Sequence, residues 1–253
     1  MKITFLGTGT SQGVPVIGCT CEVCHSLDYR NHRLRSSIHL EVEGKSIVID
    51  SGPDFRQQML RENITHLDAI LFTHAHRDHT AGLDDVRAYN FLQEMDMPLY
   101  ATQPTLQQLK ADFSYIFHEK VYPGLPQVAL HEIDHNPFLV HGLTVVPLPV
   151  MHYKLPVIGF KIGTLSYITD ANHIPEETWK LLEGTETLVL NALQIEPHIS
   201  HFNLEGALEV AKKVHAKKTY FTHISHKLGL HGDVSKILPD GITLAYDGLQ
   251  INA

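Results

Sequence analysis

Along the chain, apolar stretches of strand length alternate with segments whose apolar residues recur at helical spacing, the pattern of an α/β fold. Lys2-Ile3-Thr4-Phe5-Leu6 predicts a strand, broken by Gly7-Thr8-Gly9-Thr10. Strands from Ser37 to Val42 and from Ser46 to Asp50 follow, and Glu43-Gly44-Lys45 between them fits a tight hairpin because glycine accepts a positive φ. Asp54 to Glu62 has helical spacing, and Asp68 to Thr73 is an apolar run of buried-strand length that stops at His74. Helices are predicted over Asp85 to Met95 and Thr105 to Phe117, with a short strand around Leu99-Tyr100 between them. Leu143 to Val150 is β-rich and stops at Met151-His152. A hairpin-like stretch from Gly159 to Thr169 ends at Asp170, a helix runs from Pro175 to Leu182, and Thr187 to Leu190 forms a further strand. A helix from Leu204 to His215 and a strand from Lys218 to Thr222 then lead into His223. No tandem repeat of the solenoid kind is visible.

His74, His152, Asp170 and His223 thus all stand at strand exits, where functional groups of α/β sheets collect. Composition sharpens this. With 43% hydrophobic and 19% charged residues, the 253-residue chain reads as one folded domain, 1–253, rather than a disordered or fibrous protein. No apolar run approaches the roughly 20 residues that span a bilayer, and MKITFLGTGT lacks the pattern of a secretory signal, so a cytoplasmic protein is expected. A formal charge of −8 without runs of Lys or Arg disfavours an extended nucleic-acid partner. The anomaly is histidine, with 19 copies, and neutral imidazole is a common metal ligand. The three cysteines cannot all pair within the chain, and such close thiols favour metal over disulfide in a reducing compartment.

Thr73-His74-Ala75-His76-Arg77-Asp78-His79 places three imidazoles and one carboxylate at a single strand exit. Crowded rings lower one another's proton affinity, whereas a divalent cation stabilises neutral imidazoles and an ionised carboxylate together. His-x-His can grip one ion, and the Asp-His that follows, opening a helix, turns toward a second. The plain alternative is a helix cap by Asp78 with solvated histidines. Cys19-Thr20-Cys21-Glu22-Val23-Cys24 offers three soft ligands and needs a fourth to close a tetrahedral zinc site. His226, three positions after His223, is the candidate, His25 is the rival, and three reduced buried thiols are the alternative without metal.

The His-x-His-x-Asp-His run, followed downstream by His, Asp and His, resembles the signature of the metallo-β-lactamase superfamily. The resemblance spans nearly the whole chain and implies a four-layer αβ/βα sandwich of two similar halves. It implies that His74, His76 and His152 hold one divalent metal, that Asp78, His79 and His223 hold another, and that Asp170 bridges them; zinc, manganese and iron all suit such ligands. A bridging carboxylate offsets the repulsion of two cations about 3.5–4 Å apart, and a water between them ionises near neutral pH, so Asp78 counts with the catalytic group. The cysteine loop narrows the resemblance to the cyclic-phosphate phosphodiesterases of bacterial carbon-phosphorus lyase (phosphonate) pathways, in which three cysteines and one histidine hold a structural zinc. That places Cys19, Cys21, Cys24 and His226 around one zinc. It also puts His201, just before a helix capped by Asn203, over the substrate, to stabilise phosphoryl charge or protonate the leaving oxygen. Asp50 is expected to orient a ligand imidazole, and His131, His135 and His141 read as surface residues.

The expected activity is hydrolysis of a small phosphodiester, a cyclic ribose phosphate by resemblance, and a homodimer is the assembly to which the resemblance leans. An RNase Z-like transfer-RNA 3′-end endonuclease shares the motif, but its protruding basic arm is not visible in this sequence. Thioester or lactone hydrolysis uses the same activated water. A non-catalytic metal-binding accessory protein of cofactor biosynthesis is the alternative outside enzymes. Segment 95–140 carries no motif, and the wall that sets substrate identity is expected there.

Overall fold

The computed structural model describes residues 1–117 and 124–253, so part of segment 95–140 lies outside the described residues. The first sheet contains β1 (Lys2–Gly7), β2 (Ser37–Val42), β3 (Lys45–Ile49), β4 (Ala69–Leu71), β5 (Met97–Thr102) and β6 (Val128–Ile133). The second contains β7 (Phe138–Val140), β8 (Leu143–His152), β9 (Leu155–Ile162), β10 (Leu165–Ile168), β11 (Thr187–Asn191), β12 (Lys218–Thr222) and β13 (Ile242–Leu244). The last strand, β14 (Gln250–Asn252), returns to the first sheet beside β1. Strand orders are β14-β1-β2-β3-β4-β5-β6 and β13-β12-β11-β10-β9-β8-β7. Each sheet is antiparallel over one half and parallel over the other, the change falling at β3 in the first and at β10 in the second. The two halves are therefore built alike, as the resemblance implied.

Strand alternation decides the layers. Ile38, Leu40, Ile47 and Ile49 of the first sheet meet Ile158, Phe160, Leu165 and Tyr167 of the second in a shared inner core. Val48 and Ile70, one position out of phase, point to the other face and pack with Phe55, Tyr89 and Leu106. Those residues belong to α1 (Phe55–Arg61), α3 (Arg87–Gln93), which follows the short α2 (Arg77–Thr80), and α4 (Gln103–Asp112). On the far side, Leu188, Leu190 and Phe221 pack with Leu204, Ala207, Val210 and Val234. The helices there are α5 (Glu176–Leu181), α6 (Leu204–Val214) and α7 (His231–Ile237). The result is a four-layer αβ/βα sandwich. No helix of the described residues is long and apolar enough to cross a membrane.

Local signals explain most boundaries. Glu43 and Gly44 both take positive φ, 51° and 74°, as the two-residue turn joining β2 and β3 requires. Asn203 caps α6 by accepting from the Gly206 N–H at 3.1 Å, and His215 closes it in the left-handed region. Where expectation and structure differ, short-range geometry is the cause. The helix expected over Asp85 to Met95 opens as a 3₁₀ turn at Leu83–Val86, and Glu94, with φ 53°, ends it. The helix expected from Thr105 begins at Gln103, because Pro104 fits the first turn, and stops at Asp112 before a second 3₁₀ turn at Ser114–Ile116. Strands β7, β13 and β14 escaped the pattern because they are only three residues long, and β6 because its residues at a sheet edge are mostly half-exposed or exposed.

Candidate metal centre

Five strand exits converge on one point between the sheets. Past β4 the chain runs through Thr73 and His74 into His76, the N-cap of α2, with Asp78 and His79 in that helix. His152 is the last residue of β8. Asp50, Asp170 and His223 lie just beyond β3, β10 and β12, and all three take left-handed φ values of 65°, 54° and 55°. For residues with a Cβ that region costs roughly 1–2 kcal/mol each, and it persists only where the surroundings over-determine it. Three such residues at one site mark a place where tight chain reversal outweighs backbone preference.

Asp170 belongs to every donor group at this centre. Ligand atoms of Asp78, His79, Asp170 and His223 lie within 4.8 Å of one another, as do those of His74, His76 and Asp170. His152 forms a third such group with Asp170 and His201, and its ring centroid is 5.2 Å from that of His76. His223 Nδ1 is 3.0 Å, His79 Nε2 3.4 Å and His74 Nε2 3.8 Å from Asp170 carboxylate oxygens. All the residues expected at the dinuclear site are thus brought together.

Outer oxygens set the imidazole tautomers. His79 Nδ1 donates to Asp50 Oδ2 at 2.7 Å. His74 Nδ1 donates to Thr73 Oγ1 at 2.9 Å, and that hydroxyl donates in turn to Asp50 Oδ2 at 2.8 Å. His152 Nδ1 donates to the Ser200 carbonyl at 2.7 Å. Each ring therefore keeps its Nε2 lone pair for the interior of the site, the arrangement a metal ligand needs. Asp50 matches its expected orienting position. Thr73, Ser200 and Ser36, the last 3.2 Å from His223 Nδ1, carried no sequence signal, since a hydroxyl or carbonyl at a loop is ordinary.

The electrostatics of the protein groups alone are unbalanced. Burial, followed by the charge of His79, drives His74 well below the ordinary imidazole value. Burial opposes ionisation of Asp170, yet His223 and His79 outweigh it and hold the carboxyl well below its usual range; Asp78 behaves likewise beside His79. Burial also works against a charged His79, but Asp170, Asp78 and Asp50 raise it well above the ordinary value. The buried nitrogens His74 Nε2 and His79 Nε2 have no hydrogen-bond partner. An unpaired buried polar atom costs about 1–3 kcal/mol, so two of them facing one carboxylate cluster are expensive without a cation. Nitrogen and oxygen donors in this number fit divalent metals, and the residues present fit a pair of them.

His201 covers the centre. Its ring stacks on His223 with centroids 4.9 Å apart and lies 4.5 Å from His152, and its buried Nδ1 is unpartnered. Burial and the nearby His223 push its pKa down to about 3, so it is a neutral imidazole. His198, 5.2 Å away, was not anticipated.

A second cluster lies apart from this one. Cys19, Cys21 and Cys24 Sγ stand 3.3, 3.4 and 3.6 Å from His226 Nδ1. The Cys24 N–H donates to Cys21 Sγ at 3.5 Å and, with His226, holds that thiol down at about 6, while burial pushes Cys24 up to about 11. His25, the rival fourth ligand, is not among the side chains that converge with the three thiols; its backbone N–H donates to Cys21 O at 3.1 Å. Three soft donors and one imidazole fit a tetrahedral zinc.

The β-lactamase superfamily domain pattern matches residues 45–224. A solved structure of a new diphosphatase from the PhnP family superposes with a TM-score of 0.93 at 42% identity, covering 100% of this chain and 97% of that one. An octanoyltransferase of Porphyromonas gingivalis is 40% identical over 99% of this chain. The match covers 51% of that protein, so the chain spans about half its length. Zn²⁺-bound PqqB from Methylobacterium extorquens, at 19% identity and a TM-score of 0.81 over the full length of both chains, shares the fold.

Proposed function

We propose, from the premise that the chain belongs to the β-lactamase superfamily and has its metallo-β-lactamase fold, that it is a dinuclear-metal phosphodiesterase acting on a small substrate such as a cyclic ribose phosphate. The observation that carries the reading is the convergence of seven imidazole and carboxylate side chains on Asp170, with two buried imidazole nitrogens left unpartnered toward it. In the proposed assignment His74, His76 and His152 hold one metal, Asp78, His79 and His223 the other, and Asp170 both. When bound, two divalent cations, zinc, manganese or iron, activate water near neutral pH and offset charge developing on a phosphoryl oxygen. The protein supplies the rest. Asp50 and Ser200 orient the ligand rings, and His201 offers an N–H to the phosphoryl group or the departing oxygen. The cysteine cluster with His226 would hold a zinc, which would tie the N-terminal loop to the β12 exit.

Two observations favour other bonds. The relative at 42% identity is described as a diphosphatase, which makes a phosphoanhydride the second reading, reached by the same attack at phosphorus. The octanoyltransferase relative raises acyl chemistry, though that protein is about twice the length of the matched region. A screen with bis-aryl phosphodiester, diphosphate, thioester and lactone substrates in added zinc or manganese separates them. Selective diester turnover is expected, and robust thioester or lactone turnover with inert diesters would overturn the reading. Asp170→Ala is expected to lose both active-site metals and all activity, whereas His201→Ala keeps its metals and loses about 10²-fold or more in kcat. Equal metal loss in both variants would contradict these roles.

A further inference from the structure

A cavity of about 680 Å³ opens beside the metal centre, with His74 and His76 on its inner wall. Small-molecule sites usually enclose about 300–1,000 Å³, so the space exceeds what one phosphoryl group fills. Elements from opposite halves form its other walls. Thr102, Thr105 and Gln108 come from the end of β5 and from α4, and Leu155, Pro156 and Ile158 from β9.

The guanidinium on this wall is already matched, and apart from His74 and His76 the exposed imidazole of His135 is the other basic side chain among the described lining residues. Arg77 Nη1 pairs with Asp112 Oδ2 at 3.1 Å, and its guanidinium lies 5.7 Å from the Phe113 ring centroid. Gln108 Nε2 donates to the other oxygen of the same carboxylate at 3.0 Å. No unpaired guanidinium or ammonium is among the described lining residues. A second phosphate entering here would lose hydration beside the Asp112 carboxylate, which repels it, and would find the Arg77 guanidinium already engaged. An uncharged ring meets better partners. Leu155 and Pro156 offer apolar faces, the Thr102 and Thr105 hydroxyls lie 3.1 Å apart, and the Gln108 amide can turn to a ring hydroxyl.

We propose that this cavity is the subsite for the uncharged sugar or nucleoside part of the substrate, with Gln108 and Leu155 setting the fit. The inference rests on a phosphate lying at the metals and deepens the phosphodiesterase reading: it favours esters with a bulky organic group over diphosphates whose second phosphate occupies this space. The test is calorimetric titration of the metal-loaded full chain with inorganic phosphate, pyrophosphate and uridine 5′-monophosphate. The nucleotide is expected to bind the wild type more tightly than inorganic phosphate does. Gln108→Trp, which fills the cavity from an exposed helix position, is expected to weaken the nucleotide about tenfold or more, with affinity for inorganic phosphate retained. Leu155→Ala is expected to weaken the nucleotide about threefold or more. Wild-type affinity for the nucleotide no better than for phosphate would overturn the proposal, as would pyrophosphate outcompeting the nucleotide in a Gln108-sensitive way. If Gln108→Trp loses all ligands together, Leu155→Ala decides, and unchanged nucleotide affinity there is the contrary result. An enzyme that leaves bis(p-nitrophenyl) phosphate intact but keeps the nucleotide preference would lose the phosphodiesterase reading and keep the subsite.

Discussion

Asp50 carries three jobs at one carboxylate: it accepts from His79, from the Thr73 hydroxyl and from the Thr73 N–H. Burial raises its pKa, and the neighbouring His79 and Thr73 donors oppose that rise. At this scale much was legible, because imidazole, carboxylate and thiol are covalent properties that a motif displays. The contacts that orient them were less so: Asp50 could be placed at a strand end, but its partner could not be named. Away from the metals, His39 gives a separate test. It is buried, its Nε2 lies 2.7 Å from Ser46 Oγ, and burial pushes its pKa down to about 4 from the ordinary 6.5. The unfolded chain therefore binds a proton that the folded chain refuses between these values. Stability is fully present above 6.5 and is lost as pH falls toward 4, by up to about 3 kcal/mol. Urea unfolding at several pH values should show a shallower acid loss for His39→Gln than for the wild type. Parallel curves would remove His39 as the cause.

Among the elements, α2 shows how a short helix can matter through one close approach. A Cβ added at Gly52 would meet the Asp78 carbonyl oxygen at 2.1 Å, and Gly82 N–H donates to Ser51 O at 2.9 Å, so the loop after β3 and the turn carrying Asp78 and His79 are locked together. Neither backbone segment can yield as a flexible side chain would. Gly52→Ala should displace Asp78 and His79, destabilise the fold by about 1–3 kcal/mol and lower metal content by about one ion per chain, with the cysteine cluster untouched. Metal analysis and chemical denaturation read both effects. Unchanged stoichiometry with unchanged stability would show that the backbone accommodates the methyl group. Buried strands and amphipathic α6 were readable because alternation and helical spacing are local. The edge strands were not, since an edge strand is made by its neighbour's hydrogen bonds rather than by its own apolar content.

At the scale of the whole molecule, the proposed metals join two sheets: His74, His76, Asp78 and His79 come from the first, and His152, Asp170 and His223 from the second. The cysteine loop makes a second tie, from the β1–β2 connection to His226 beyond β12. Ligands that bind only the folded state stabilise it, by about 2.7 kcal/mol at a concentration one hundred times Kd. For a chain of this length that corresponds to a melting point lower by about 5–10 °C after chelation, restored by added zinc or manganese. Identical melting curves with and without chelator would show that the two halves do not depend on bound metal. The amino-acid sequence by itself determined the donor chemistry, the α/β order of the elements and the clustering of donors at strand exits, because all three follow from residue type and short-range periodicity. Residue pattern alone left open which donors meet; the family resemblance implied Asp170 at the centre and His226 rather than His25 on the cysteine cluster, and the tertiary structure brings those side chains together. The cavity wall that joins α4 to β9 came from the tertiary structure alone. These pairings span long stretches of chain and depend on sheet register and packing, which no local pattern encodes.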